Sequence, residues 1–131
     1  MSEERSEERG EPAVRTLAMP ADTNPSGDIF GGWVLAQMDL AAGIVAHQRA
    51  RSRVATAALD GMSFHRPVYV GDLVSCYARV IRVGRSSMTV LVDTFVLRGR
   101  TGDEVKVTSG RFTLVAIDEQ GRPRPVPPTP A

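Results

Sequence analysis

A proline-free stretch from Trp33 to Ala50 constrains this chain more than any other feature. Its side chains favour a helix of ~27 Å. Trp33, Val34, Leu35, Ala36, Met38, Leu40, Ala41, Ala42, Ile44, Val45 and Ala46 would make that helix apolar nearly all round. A helix of this kind has to be enclosed by other structure rather than laid on a surface. The chain beyond it supplies the enclosure, because it reads as strands. Val54–Phe64 is one candidate. In Leu73–Val83, Val74, Cys76, Ala78 and Val80 share a face; in Ser87–Leu97, Met88, Val90, Val92, Thr94 and Val96 do. Glu104–Ala116 is the last, with turns at Gly84–Ser86 and Gly99–Asp103, and Val14–Met19 is a short strand ahead of the helix. One buried helix and a run of antiparallel strands predict an α+β domain, its sheet curled around the helix.

The 131 residues allow one domain. Residues 14–117 form it. Residues 1–13 are expected to be a charged, mobile tail, and 118–131 a Pro-rich tail that is extended on the surface or loose. With 16 basic and 15 acidic side chains the net charge is +1, without the basic excess that a nucleic-acid-binding protein uses to neutralise phosphates. The only cysteine, Cys76, excludes an internal disulfide and fits a reducing compartment. The charged N-terminus does not read as a signal peptide, and no apolar run reaches the length of a membrane span. The expected location is the cytoplasm, with neither nucleic acid nor membrane as a partner.

Two features suggest chemistry. Asp39 lies mid-helix, one turn from Leu35, Ala36, Ala42 and Gly43. Three of these are small and leave room beside the carboxylate. Burying a carboxylate is costly unless it is paired or used, and desolvation moves carboxylates toward general-base strength. The alternative is an Asp39 that faces solvent or pairs with an arginine. The second feature is the glycine-rich run Asn24–Gly32, which leads into the helix N-terminus. Free N–H groups and the helix dipole there favour developing negative charge, as an oxyanion hole must. An ordinary helix start capped by Asp28 or Asn24 is the other reading. Gly31 and Asp39 are ~12 Å apart along one helix, whereas a base and an oxyanion donor both act within ~3 Å of the reacting group. If both are catalytic, the site takes Gly31 from one subunit and Asp39 from another, which requires a two-fold dimer.

The runs Arg15-Thr16-Leu17-Ala18-Met19-Pro20-Ala21-Asp22-Thr23-Asn24, Gly27-Asp28-Ile29-Phe30-Gly31-Gly32-Trp33 and Gln37-Met38-Asp39 closely resemble the YciA-type acyl-CoA thioesterases of the hotdog superfamily. Phe64-His65-Arg66-Pro67-Val68, Val70-Gly71-Asp72 and Val83-Gly84-Arg85-Ser86-Ser87 extend the resemblance. It implies a hotdog fold, hydrolysis of acyl-CoA to free acid and CoA, and dimers assembled into a trimer of dimers. By position, Asp39 matches the catalytic carboxylate, acting as general base or nucleophile. Gly31 matches the residue whose N–H polarises the thioester carbonyl, and Asn24 a polar residue near the attacking water or acyl group. Thr56 is the nearest match to a hydroxyl that supports the water. Some related enzymes place a histidine just before the glycine; here it is Phe30, which leaves backbone donation alone.

No cofactor is expected, since CoA would be part of substrate and product. No metal is expected either, because His47 and His65 lack partners at ligand spacing. The CoA phosphates call for arginine and N–H donors, and the candidates are Arg66, the turn Gly84-Arg85-Ser86-Ser87, and Arg122. Each arginine could equally be a solvated surface charge. Asp22-Thr23-Asn24-Pro25 is similar to the start of a hotdog hydratase signature, but Gly27 stands where that signature has its histidine. A non-catalytic acyl-CoA sensor is the alternative from another class; sensors of this fold carry a DNA-binding segment ahead of it, for which the acidic N-terminal stretch is too short.

Overall fold

A computed structural model describes residues 9–129. The expected elements are present: β1 (Val14–Leu17), α1 (Gly31–Ala50), β2 (Arg53–Asp60), β3 (Leu73–Val83), β4 (Ser87–Leu97) and β5 (Glu104–Ile117). They form one antiparallel sheet in the order β1-β3-β4-β5-β2, with α1 packed against its inner face. This is the hotdog arrangement.

Strand alternation places Val74 and Cys76 of β3, Val90 and Val92 of β4, and Phe112 and Leu114 of β5 in the core. The helix answers with Val34, Met38, Ala41, Ala42, Ala46 and Ala50, all buried. Four alanines on that face let the helix axis press close to the sheet. The helix is not enclosed all round, however. Leu40 is 57% and Ile44 42% exposed, so the side of α1 away from the sheet is apolar and open in a single chain. It lies beside β2, the edge strand.

Three boundaries differ from the sequence expectation. The helix begins at Gly31, two residues before Trp33, with Phe30 as N-cap. Strand β1 stops at Leu17, because Pro20–Asp22 forms a 3-10 turn in which Asp22 accepts the Met19 N–H. Strand β2 ends at Asp60 rather than running to Phe64, since Gly61 takes a left-handed φ of 59° and turns the chain out of the sheet.

The tails also make contacts. Arg9 lies 4.0 Å over the Phe95 ring and 4.9 Å over Tyr77, and both of its bonds to Glu104 are 2.8 Å. Residues 1–8, where most of the expected N-terminal tail falls, are outside the described residues. The Pro-rich segment runs extended along the surface. Val126 donates its N–H to the Arg85 carbonyl, and Arg49 donates to the Pro127 carbonyl. Among the described residues no helix is long and apolar enough to cross a membrane.

Candidate active site

The start of α1 is built without a side-chain cap. Trp33 and Val34 both donate to the Phe30 carbonyl, at 3.1 and 3.3 Å. The N–H groups of Gly31 and Gly32 have no intrahelical acceptor, and among the described residues they find no other. Neither Asn24 nor Asp28 caps the helix. Asn24 caps its own loop instead: its Oδ1 accepts the N–H of Ser26 at 2.9 Å and of Asp28 at 3.1 Å. Two backbone donors on Oδ1 fix which end of the amide faces the loop, so the other end carries the Nδ2 donors. Ile29 is tied to Val68 and Phe30 to Asp22, which brings the Phe64–Val68 segment alongside. Asn24, Asp28, Gly31, Phe64, His65 and Arg66 then line a cavity of about 310 Å³.

Asp39 is half-buried, on the side of α1 that faces β2. Thr56 Oγ1 donates to Asp39 Oδ1 at 2.6 Å. This short bond to a carboxylate holds the side chain through Oδ1. The pair opens on a second cavity of about 470 Å³, with Gly32, Leu35, Ala36, Leu59 and Phe112 in its lining. The structure therefore brings Asp39 and Thr56 together, and Asn24, Gly31 and Arg66 together. In one chain these are two separate cavities.

The other CoA candidates lie at the far end of the sheet. Ser87 pairs with Val115, and the chain enters β2 just past the C-terminus of α1, so the β3–β4 turn belongs to the end where the helix stops. Within that turn the Gly84 N–H donates to Ser87 O at 2.8 Å, and Ser86 O accepts from Ala116. Arg85 is exposed. Arg122 is exposed too, its N–H held by Asp118 Oδ1 at 2.9 Å. The C-terminal segment, which carries Arg122, passes Arg85, whose carbonyl accepts the Val126 N–H. His47 Nδ1 lies 2.7 Å from the Ser52 carbonyl, which requires the proton on Nδ1, and His65 is exposed in the first cavity. Among the described residues no group of three or more His, Cys, Asp or Glu side chains could hold a metal ion.

Three residues near these cavities have no signature in the sequence. Arg98 donates to Asp72 Oδ2 at 2.5 Å and to the Pro67 carbonyl at 3.1 Å, while Tyr69 N–H also bonds that Asp72 oxygen. This nearly buried pair fixes the loop that carries Arg66, a structural role for Asp72. Leu59 and Phe112 line the Asp39 cavity; they read as generic strand residues.

Residues 26–103 match the thioesterase superfamily. The acyl-CoA thioester hydrolase YciA of Salmonella typhimurium is 47% identical over 122 residues, which cover 91% of this chain and 92% of that protein. The chain belongs to the YciA-type thioesterases. Solved structures agree with this membership. A hexameric thioesterase from Yersinia pestis is 49% identical with a TM-score of 0.87, covering 92% of this chain and 98% of its own. A hexameric hotdog fold thioesterase of Campylobacter jejuni is 41% identical, also with a TM-score of 0.87, over 91% and 92% of the two chains.

Proposed function

We propose that the protein hydrolyses acyl-CoA thioesters to free carboxylic acid and CoA, at sites shared across a two-fold dimer. The observation that carries the mechanism is the separation within one chain of an oxyanion-type donor set, Gly31 with Asn24, from a held carboxylate, Asp39 with Thr56. An antiparallel partner docked on the open face of α1 and the β2 edge would bring one set from each subunit together. The exposed Leu40 and Ile44 supply the apolar contact, and the outer edge of β2 invites continuation of the sheet. Three such dimers make the hexamer that the relatives form.

In this reading the thioester carbonyl accepts from the Gly31 N–H, supported by the positive end of the helix dipole. Asp39 of the partner subunit takes a proton from water, which adds to the carbonyl carbon; alternatively its Oδ2 adds directly and water later cleaves the anhydride. In both routes the C–S bond breaks and the CoA thiolate leaves, to be protonated. Thr56 holds the carboxylate, and the Asn24 Nδ2 donors orient the water or the acyl carbonyl. Arg66, at the mouth of the Gly31 cavity, meets the CoA pyrophosphate. Arg85, Arg122 and the Gly84–Ser87 turn serve as secondary phosphate contacts. The chemistry uses no cofactor, and a reducing cytoplasm suits a chain with one cysteine.

Release of free thiol from a series of acyl-CoAs tests the proposal. Asp39→Asn keeps the shape but loses the base, so turnover should fall ~100-fold or more with the oligomer unchanged. Wild-type protein that binds acyl-CoA without releasing thiol would establish a sensor instead. Full activity in Asp39→Asn would make the aspartate structural.

A further inference from the structure

We propose that Leu59, Phe112 and the side-chain-free position Gly110 limit the length of acyl chain that the enzyme accepts. The inference rests on the thioesterase reading and adds the residues that bound its substrate.

It begins with the register of the edge strand. Residues directly opposite in an antiparallel pair share a face. Val54 pairs with Ala116 and Thr56 with Leu114, and both partners are buried toward α1. Regular alternation would turn Ala58 to that face next. Instead the ladder resumes with Ala58 opposite Thr113 and Leu59 opposite Phe112, so Ala57 is left as an extra residue. Such a bulge re-aims the side chains beyond it. Thr56 points at Asp39 and Leu59 also points inward, so the wall beyond the carboxylate is leucine where an unbroken strand would place alanine.

The cavity beside Asp39 suits the acyl part of the substrate. Its inner lining is Leu35, Ala36, Leu59 and Phe112, and its one ionisable side chain is Asp39. A carboxylate repels the phosphates of CoA, which leaves the apolar chain as the occupant. Phe112, only 1% exposed, closes the inner end. Gly110 sits behind this wall. It pairs with the fully buried Val92, so the direction of its absent side chain is inward. A Cβ there would stand 3.2 Å from Leu59 Cδ1 and 3.6 Å from both Met62 Sδ and Phe112 Cε1. Leu59 therefore occupies space that any larger residue at Gly110 would claim, and a methyl group would push it into the cavity.

The test compares kcat/KM for saturated acyl-CoAs from acetyl to palmitoyl. Leu59→Ala should move the optimum toward longer chains and Gly110→Ala toward shorter ones. The long-to-short ratio should change about tenfold or more for Leu59→Ala, as one methylene in an apolar pocket typically dictates, and in the opposite direction by a smaller factor for Gly110→Ala, whose methyl only crowds Leu59 from behind. Phe112→Leu should act like Leu59→Ala; because Phe112 is a core residue, Leu59→Val is the milder companion that keeps the comparison informative. Circular dichroism and gel filtration check that each variant is folded. Folded variants whose profiles superimpose on wild type would overturn the assignment while leaving the thioesterase reading intact. A wild-type protein inactive on every acyl-CoA would sink both.

Discussion

A hydrogen bond of 2.6 Å from Thr56 holds Asp39 in an otherwise permissive setting, with Ala36 and Gly43 beside it on the helix. Its hydroxyl contributes by fixing the carboxylate. Thr56→Val should therefore lower kcat about tenfold with little change in KM, and Thr56→Ser should restore most of the loss. An unchanged kcat in the valine variant would remove Thr56 from the mechanism. The oxyanion role proposed for Gly31 can be probed by proline, since Gly31 is the first helical residue, where proline is tolerated. Phe30 before it has φ −56° and ψ 134°, a conformation compatible with a following proline. A Cβ at Gly31 would make only ordinary contacts with Phe64, at 3.5 and 3.6 Å. Gly31→Pro deletes the N–H and sets the ring Cδ in its place, so kcat should fall ~10²–10³-fold or more while helicity by circular dichroism is retained. Activity within a few-fold of wild type would show that the donor lies elsewhere. A charge in an apolar helix and a glycine-rich helix start are local patterns, so Asp39 and Gly31 stand out in the sequence as candidates, whereas Asn24 does so only through the family resemblance. Arg98 and Leu59 do not, because their partners are distant in the chain.

Among the elements, β3 and β4 could be read from alternation, and α1 from its freedom from proline and its apolar character nearly all round. The bulge at Ala57 could not, because the Val-Ala-Thr-Ala-Ala-Leu run has too little contrast between faces to reveal a slipped register. Nor could the open side of α1: an all-round apolar helix is enclosed by something, and within one chain the sheet covers only one side. The inner face of β3 also yields a pH prediction. Burial pushes the Cys76 thiol up to about 11, only partly opposed by its contact with Thr94 Oγ1. The neutral thiol is the form that the fold prefers. Its contribution is therefore complete below the ordinary thiol range near 9.0 and is lost as pH rises through about 11. Over that window the unfolding free energy should fall by up to about 3 kcal/mol from this group, a slope that Cys76→Ala should flatten in urea titrations. Equal slopes in the two proteins would mean that the thiolate is accommodated. The native thiol should also stay silent toward thiol reagents, so it adds no background to the release assay.

At the scale of the whole molecule, the separation of Gly31 from Asp39 along α1 makes a quantitative demand on subunit mixing. Let one subunit carry Asp39→Asn and its partner Gly31→Pro, each inactive as a homodimer. In the mixed dimer, one site combines the intact Gly31 of the first with the intact Asp39 of the second. The other site combines both defects. A mixed dimer should thus recover about half of wild-type turnover, and a random mixture of subunits about a quarter. Co-expression with two different tags and tandem purification isolates the mixed assemblies. Recovery can arise only if Gly31 and Asp39 act across the subunit boundary, because no mixing of chains repairs a site contained within one. Persistent inactivity in assemblies shown to hold both chains would place the whole site in a single subunit. It would also leave the exposed Leu40–Ile44 face of α1 as a packing surface without a catalytic role.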